Sequence, residues 1–206
     1  MRKATRVIAA VLGAFAGFGG LEHGYFEILQ GNARPESILI ASMGPPCVPE
    51  EVWHICEPAM TLLPNYRLTG MLSVGLGLVT LVWALAFVQR KGGGAVLALL
   101  SLGLLLFGGG IFPPVIGIAG GLAGTRINTP LQRQSTPFWR ALARLHPWVI
   151  ILFFTGLFSQ FVIGYFFNEF MMESGMLIPG SILGLLAVSI LAGYGYDVVN
   201  RQGAQT

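Results

Sequence analysis

A bundle of membrane-spanning helices is the fold that this chain predicts, and three observations carry the prediction. Hydrophobic residues make up 54% of the 206 residues and charged ones only 10%, against about 25% charged in soluble domains. The mean hydropathy is +0.71. Apolar residues are also gathered into five long blocks, four of them of a length suited to one crossing of lipid. The expected fold is therefore all-α, a polytopic bundle in a single integral membrane domain over residues 1–206. Helix is the assignment throughout because an isolated strand leaves its backbone unsatisfied in lipid.

The blocks run over 7–29, 68–88, 95–123, 148–167 and 176–196. A spanning helix needs about 20 apolar residues to cross a core of ~30 Å, and blocks one, two, four and five fit. Arg2, Lys3 and Arg6 ahead of "AFA" at 14–16 resemble a cleavable signal. Apolar character continues to Leu29, so an uncleaved first helix is expected instead.

Block three is different. As one helix it would be about 43 Å long, beyond the thickness of the core. "GGGIFPPVIG" at 108–117 interrupts it: Pro113 and Pro114 lack backbone donors, and the glycine triplet permits a sharp turn. The block is either one kinked helix or a re-entrant pair of half-length helices. Charge favours the pair. Lys and Arg collect in cytoplasmic loops, and the basic loop 124–147 carries Arg126, Arg133, Arg140 and Arg144 without an acid. Turning block three back puts that loop inside with the N-terminus, Arg90 and Lys91. It also leaves loop 30–66, with four Glu and one Arg, outside. The net charge of +3 thus bears on orientation, and no basic face for nucleic acid is present.

Within the basic loop, "TPFWRALARLHPW" predicts a short interfacial helix capped by Thr136 with Pro137 at its first position. Phe138, Leu142 and Leu145 would share its apolar face, and Arg140 and Arg144 would reach lipid headgroups. Gly13, Gly17, Gly20 and Gly24 form one stripe, and Gly180 and Gly184 repeat the spacing; both predict close helix contacts.

The candidate site lies in "GGLEHGYFEILQGN", 19–32. From an entry at Val7, Glu22 sits about 22 Å along the axis, still inside a ~30 Å core. A carboxylate there is costly unless it pairs, protonates or reaches water. His23 and Glu27 are four apart and can bond directly; Glu22 points away from them. Arg67, opening the second block, is the expected ion-pair partner. Above them lies "GPPCVPEEVWHICEP", 44–58, with the only two cysteines. In an oxidising compartment Cys47 and Cys56 are expected to form a disulfide in a loop that caps the acids. Glu22, His23 and Glu27 would suit Zn or Fe in ligand type, but their spacing matches no established metal motif. A rival reading of the loop takes Cys47, His54 and Cys56 as metal ligands with His23 nearby, and the expectation is no metal and no other cofactor.

The segments "LEHGYFEILQGN", "GPPC", "CEPAMTLLPNY" and "GGGIFPPVIGIAGG" resemble a family of small bacterial multi-pass membrane proteins with no assigned activity, over most of residues 1–128. The resemblance implies a prokaryotic cytoplasmic membrane and no catalytic residues. The leading functional expectation is a non-enzymatic binding or accessory component, its partners the lipid bilayer and a membrane protein or a second copy of itself. The alternative is a small solute or proton transporter or channel using Glu22, His23 and Glu27; a metal- or thiol-dependent membrane enzyme comes third.

Overall fold

The computed structural model describes residues 1–43, 56–131 and 133–202, the last of them by its backbone alone. The chain is mainly helical. In order, the described elements are α1 (Lys3–Leu29), β1 (Leu39–Ala41), β2 (Pro58–Met60), α2 (Tyr66–Ala86), α3 (Gly93–Leu106), α4 (Phe112–Gly124), α5 (Pro137–Leu145), α6 (Trp148–Phe166), α7 (Asn168–Ser174) and α8 (Leu177–Gln202). Among the described residues, four helices are long and apolar enough to cross a membrane: Lys3–Leu29, Tyr66–Ala86, Trp148–Phe166 and Leu177–Arg201. The described chain falls into two compact units, residues 9–43 with 56–125, and residues 1–8 with 126–202.

The first unit is organised around α1. Its glycines are notches for α2: a methyl group on Gly17 would stand 2.8 Å from Gly77 O, and one on Gly24 would stand 2.7 Å from Gly70 O. Ser73 Oγ adds a hydrogen bond to Gly20 O at 2.9 Å. Backbones that approach this closely gain dispersion contact where lipid supplies no hydrophobic drive. Asn65 caps α2, its side-chain oxygen accepting from Leu68 N at 3.0 Å.

Block three is not one helix. It ends as α3 at Leu106 and resumes as α4 at Phe112. At 14 and 13 residues, these are about 21 and 20 Å long, each short of a ~30 Å core. They pack antiparallel, with Gly94 against Gly124, Ala98 against Gly121, and Ser101 against Gly117. The break falls on the glycines, Gly108 and Gly110 holding φ of 86° and 84°, a region that L side chains avoid. Pro113 stands in the first turn of α4, where a missing N–H costs nothing.

An all-helical reading missed one feature. The 30–66 segment contains a small antiparallel sheet with register Leu39↔Met60, Ile40↔Ala59 and Ala41↔Pro58. The far edge of β2 is also covered: Thr61 bridges Phe107, Leu62 N donates to Leu106 O, and Gly108 N donates to Met60 O. A strand too short to read by alternation forms here because both of its edges find partners.

In the second unit, α5 packs on α8 through Trp139, whose ring centroid lies 5.1 Å from that of Tyr194. Trp139 is buried, whereas Phe138 and Leu145 are exposed, as are Arg140 and Arg144. Thr136 occupies the cap position without a side-chain cap bond. Helix α8 runs past Tyr196 because Asp197 and Val198 are buried there. The Asp197 carboxylate takes the orphan donors that open α1, accepting from Ala4 N at 3.0 Å, Thr5 N at 2.9 Å and Thr5 Oγ1 at 2.7 Å. Helix α1 accordingly starts at Lys3 rather than Val7. The second glycine stripe makes no contact: the space beside Gly180 and Gly184 is open.

Candidate functional site

His23 and Glu27 lie one turn apart on the buried face of α1, 3% and 0% exposed. They do not meet directly. Ser42, just after β1, stands between them: its hydroxyl donates to Glu27 Oε1 at 3.1 Å and lies 2.9 Å from His23 Nδ1. With the serine proton committed to Glu27, His23 Nδ1 must carry the hydrogen that Ser42 Oγ accepts. His23 Nε2 then faces Glu57, whose Oε2 is 3.7 Å away. The result is a chain of polar groups, Glu27–Ser42–His23–Glu57, drawn from one helix and the loop that follows it.

The loop is held in place by its backbone. Gln30 Nε2 donates to Ala41 O at 3.1 Å and to Ser42 O at 2.5 Å, while Ser42 N donates to Glu57 O at 3.1 Å. Tyr66 N and Arg67 N donate to Ala33 O and Gly31 O. Glu57 pays for its position with a backbone φ of 36°, a strained value for a residue with a Cβ. Burial pushes its carboxyl up from the ordinary 4.5 to about 7, and the nearby negative charge of Glu22 adds to the effect.

The glycine turn after α3 closes the site from the other side. A methyl group on Gly108 would collide with the Glu27 carboxylate and Thr69, and one on Gly110 would stand 2.5 Å from His23 Nε2. Thr61 and Thr69 join hydroxyls at 2.8 Å beside it. Glu27 Oε2 is left buried without a hydrogen-bond partner. The space among Glu22, His23, Phe26, Ser42, Met43 and Glu57 is too tight for a water molecule.

The residues singled out in the sequence divide as follows. His23 and Glu27 belong to the site. Glu22 is exposed at its rim, turned from Glu27 but within electrostatic reach of Glu57. Arg67 is exposed, and among the described residues it is His23 that faces Glu57, a contact that is an ion pair only when the imidazole is protonated. Cys47 and His54 lie outside the described residues, and Cys56 stands in the turn before β2. Among the described residues, no three His, Cys, Asp or Glu side chains come together to hold a metal ion. Sequence reasoning missed Ser42 and Glu57. Neither has a periodic neighbourhood, and only the register of β1 on β2 brings them to α1.

Compared with protein-family models, with curated proteins and with solved structures, the chain finds no match.

Proposed function

We propose that this chain is a multi-pass protein of a prokaryotic cytoplasmic membrane, N-terminus inside, acting as a non-enzymatic binding or accessory component. One observation carries the reading: the polar chain beneath the lid is closed. Its lid strand is paired on both edges, and among the described residues no space for a solute remains beside Glu22, His23, Ser42 and Glu57. Ile38, Leu39 and Leu62 stand exposed on that lid, an apolar face for a second membrane protein or a second copy of the chain. The half-length helices α3 and α4 enter and leave the membrane on the same side, which keeps the basic loop with Arg126, Arg133, Arg140 and Arg144 inside. Arg140 and Arg144 contact lipid headgroups from there. A Cys47–Cys56 disulfide would secure the lid; its support is the oxidising side on which the loop is placed.

The second reading, proton transfer, is favoured by the order of groups in the chain. A proton leaving Glu57 for His23 Nε2 releases the Nδ1 hydrogen to Ser42, which passes its own to Glu27. Glu57 loses one proton and Glu27 gains one. Reconstitution in liposomes tests both readings. The accessory reading expects no proton or solute flux, together with a discrete adduct when photocrosslinkers are placed at Ile38 or Leu62. A proton flux abolished by Glu27→Gln and by Ser42→Ala would replace it with the second.

A further inference from the structure

The second unit has a half-open cavity that the polar chain does not use. About 570 Å³ of space lies between the first residues of the chain, the 128–131 segment and the last turns of α8. Three cations line it: Arg2, Lys3 and Arg201. One acid does too, Asp197, but its carboxylate already accepts from Ala4 N, Thr5 N and Thr5 Oγ1. The charge left facing the cavity is positive.

Arg2 is the telling member. Its side chain is 6% exposed, and its guanidinium lies 4.9 Å from the Tyr194 ring centroid. Its backbone N–H donates to Ile127 O at 2.9 Å. Of the side-chain donors, Nη2 reaches Pro130 O at a long 3.4 Å. Nε and Nη1 are buried with no hydrogen-bond partner. Burial holds its pKa below the ordinary value, while Tyr194 and Asp197 act the other way and Arg126 adds to the lowering. A buried guanidinium with idle donors is costly. Its planar fork matches two oxygens of a phosphate, the anion for which such geometry is best suited.

We infer that this cavity binds a phosphate group, with Arg2 supplying the fork and Lys3 and Arg201 the flanking charge. The phosphate is borne by an anionic phospholipid headgroup or is free in solution. The inference is independent of the reading given to His23 and Glu27.

The test uses the full chain, purified in a zwitterionic detergent and exchanged into phosphate-free buffer. One arm titrates phosphatidylglycerol and follows it by native mass spectrometry; the other titrates inorganic phosphate by calorimetry. Saturable binding of one equivalent is expected in at least one arm. Preference for phosphatidylglycerol assigns the lipid source, and preference for inorganic phosphate the soluble one. Removing a charge-assisted hydrogen bond weakens binding by about tenfold or more, so Lys3→Gln/Arg201→Gln should show at least that loss. Arg2 is buried, and Arg2→Gln can fail to fold; the surface pair keeps the test independent of it. Arg90→Gln, exposed after α2 and outside the lining, should stay within about twofold of wild type. The inference is overturned if neither probe binds saturably, if the double variant binds as tightly as wild type, or if Arg90→Gln loses as much.

Discussion

Asp197 and Glu27 are both carboxylates sunk out of water, and the chain treats them in opposite ways. Asp197 accepts three hydrogen bonds from the start of α1. Glu27 accepts one, from Ser42, and keeps its other oxygen without a partner. A fully bonded acid is a structural fastening: its charge is absorbed by donors that would otherwise be orphaned at a helix end. A half-bonded acid is a standing cost that packing elsewhere must offset. The difference separates the acid that holds the fold from the acid that a function would need.

The comparison can be broken at its strong end. Asp197→Ala strands three buried donors, and the expected destabilisation is about 3 kcal/mol or more, measured by reversible unfolding in mixed detergent micelles. A loss no larger than that of an exposed helix substitution would show that the fastening is ornamental. Next in size is Gly108→Ala. The new methyl group meets Glu27 and Thr69 at a positive φ, so a loss of about 2 kcal/mol is expected in the same assay. Unchanged stability there would mean that the glycine turn does not press on the site.

A third experiment sharpens the account of the rim. Glu57 holds its proton more tightly in the folded chain, to about pH 7, than at its ordinary 4.5. Its contribution to stability is therefore complete below about pH 4.5, declines as pH rises towards about 7, and is lost above it. Glu57→Gln should flatten the unfolding free energy across that window. A slope that survives the substitution belongs to another group. The smallest effect is expected for Glu27→Gln, which preserves shape and the bond from Ser42. Stability should change by less than about 1 kcal/mol, and a loss matching Asp197→Ala would place Glu27 among the structural acids.

Much of this was legible in the residues, for identifiable reasons. The four long apolar helices follow from block length alone, because lipid leaves the backbone no other regular choice. The break in block three was visible because three glycines followed by two prolines cannot continue a helix. The stripe at Gly17, Gly20 and Gly24 was read correctly as packing, but Gly180 and Gly184 carry the same spacing and face open space. Spacing fixes which residues share a face; it does not say whether anything covers that face. The same limit applies to α5, where helix and start were legible but the packing of Trp139 on α8 was not.

His23 and Glu27 could be singled out because ionisable groups late in an apolar helix demand an explanation wherever the rest of the chain goes. Their linkage could not. Direct contact was the local expectation for two residues four apart, yet Ser42 intervenes because a three-residue strand is paired on β2. Nothing local marks the role of Asp197 either, since its donors lie more than 190 residues away in sequence.

Composition and block length, then, determined by themselves that the chain is helical and suited to lipid, since burial in hydrocarbon depends on how many apolar residues run together. Which acid is satisfied and which is left wanting was decided only in three dimensions. Hydrogen bonds are short and directional, and whether a donor arrives within 3 Å depends on elements that no local pattern connects.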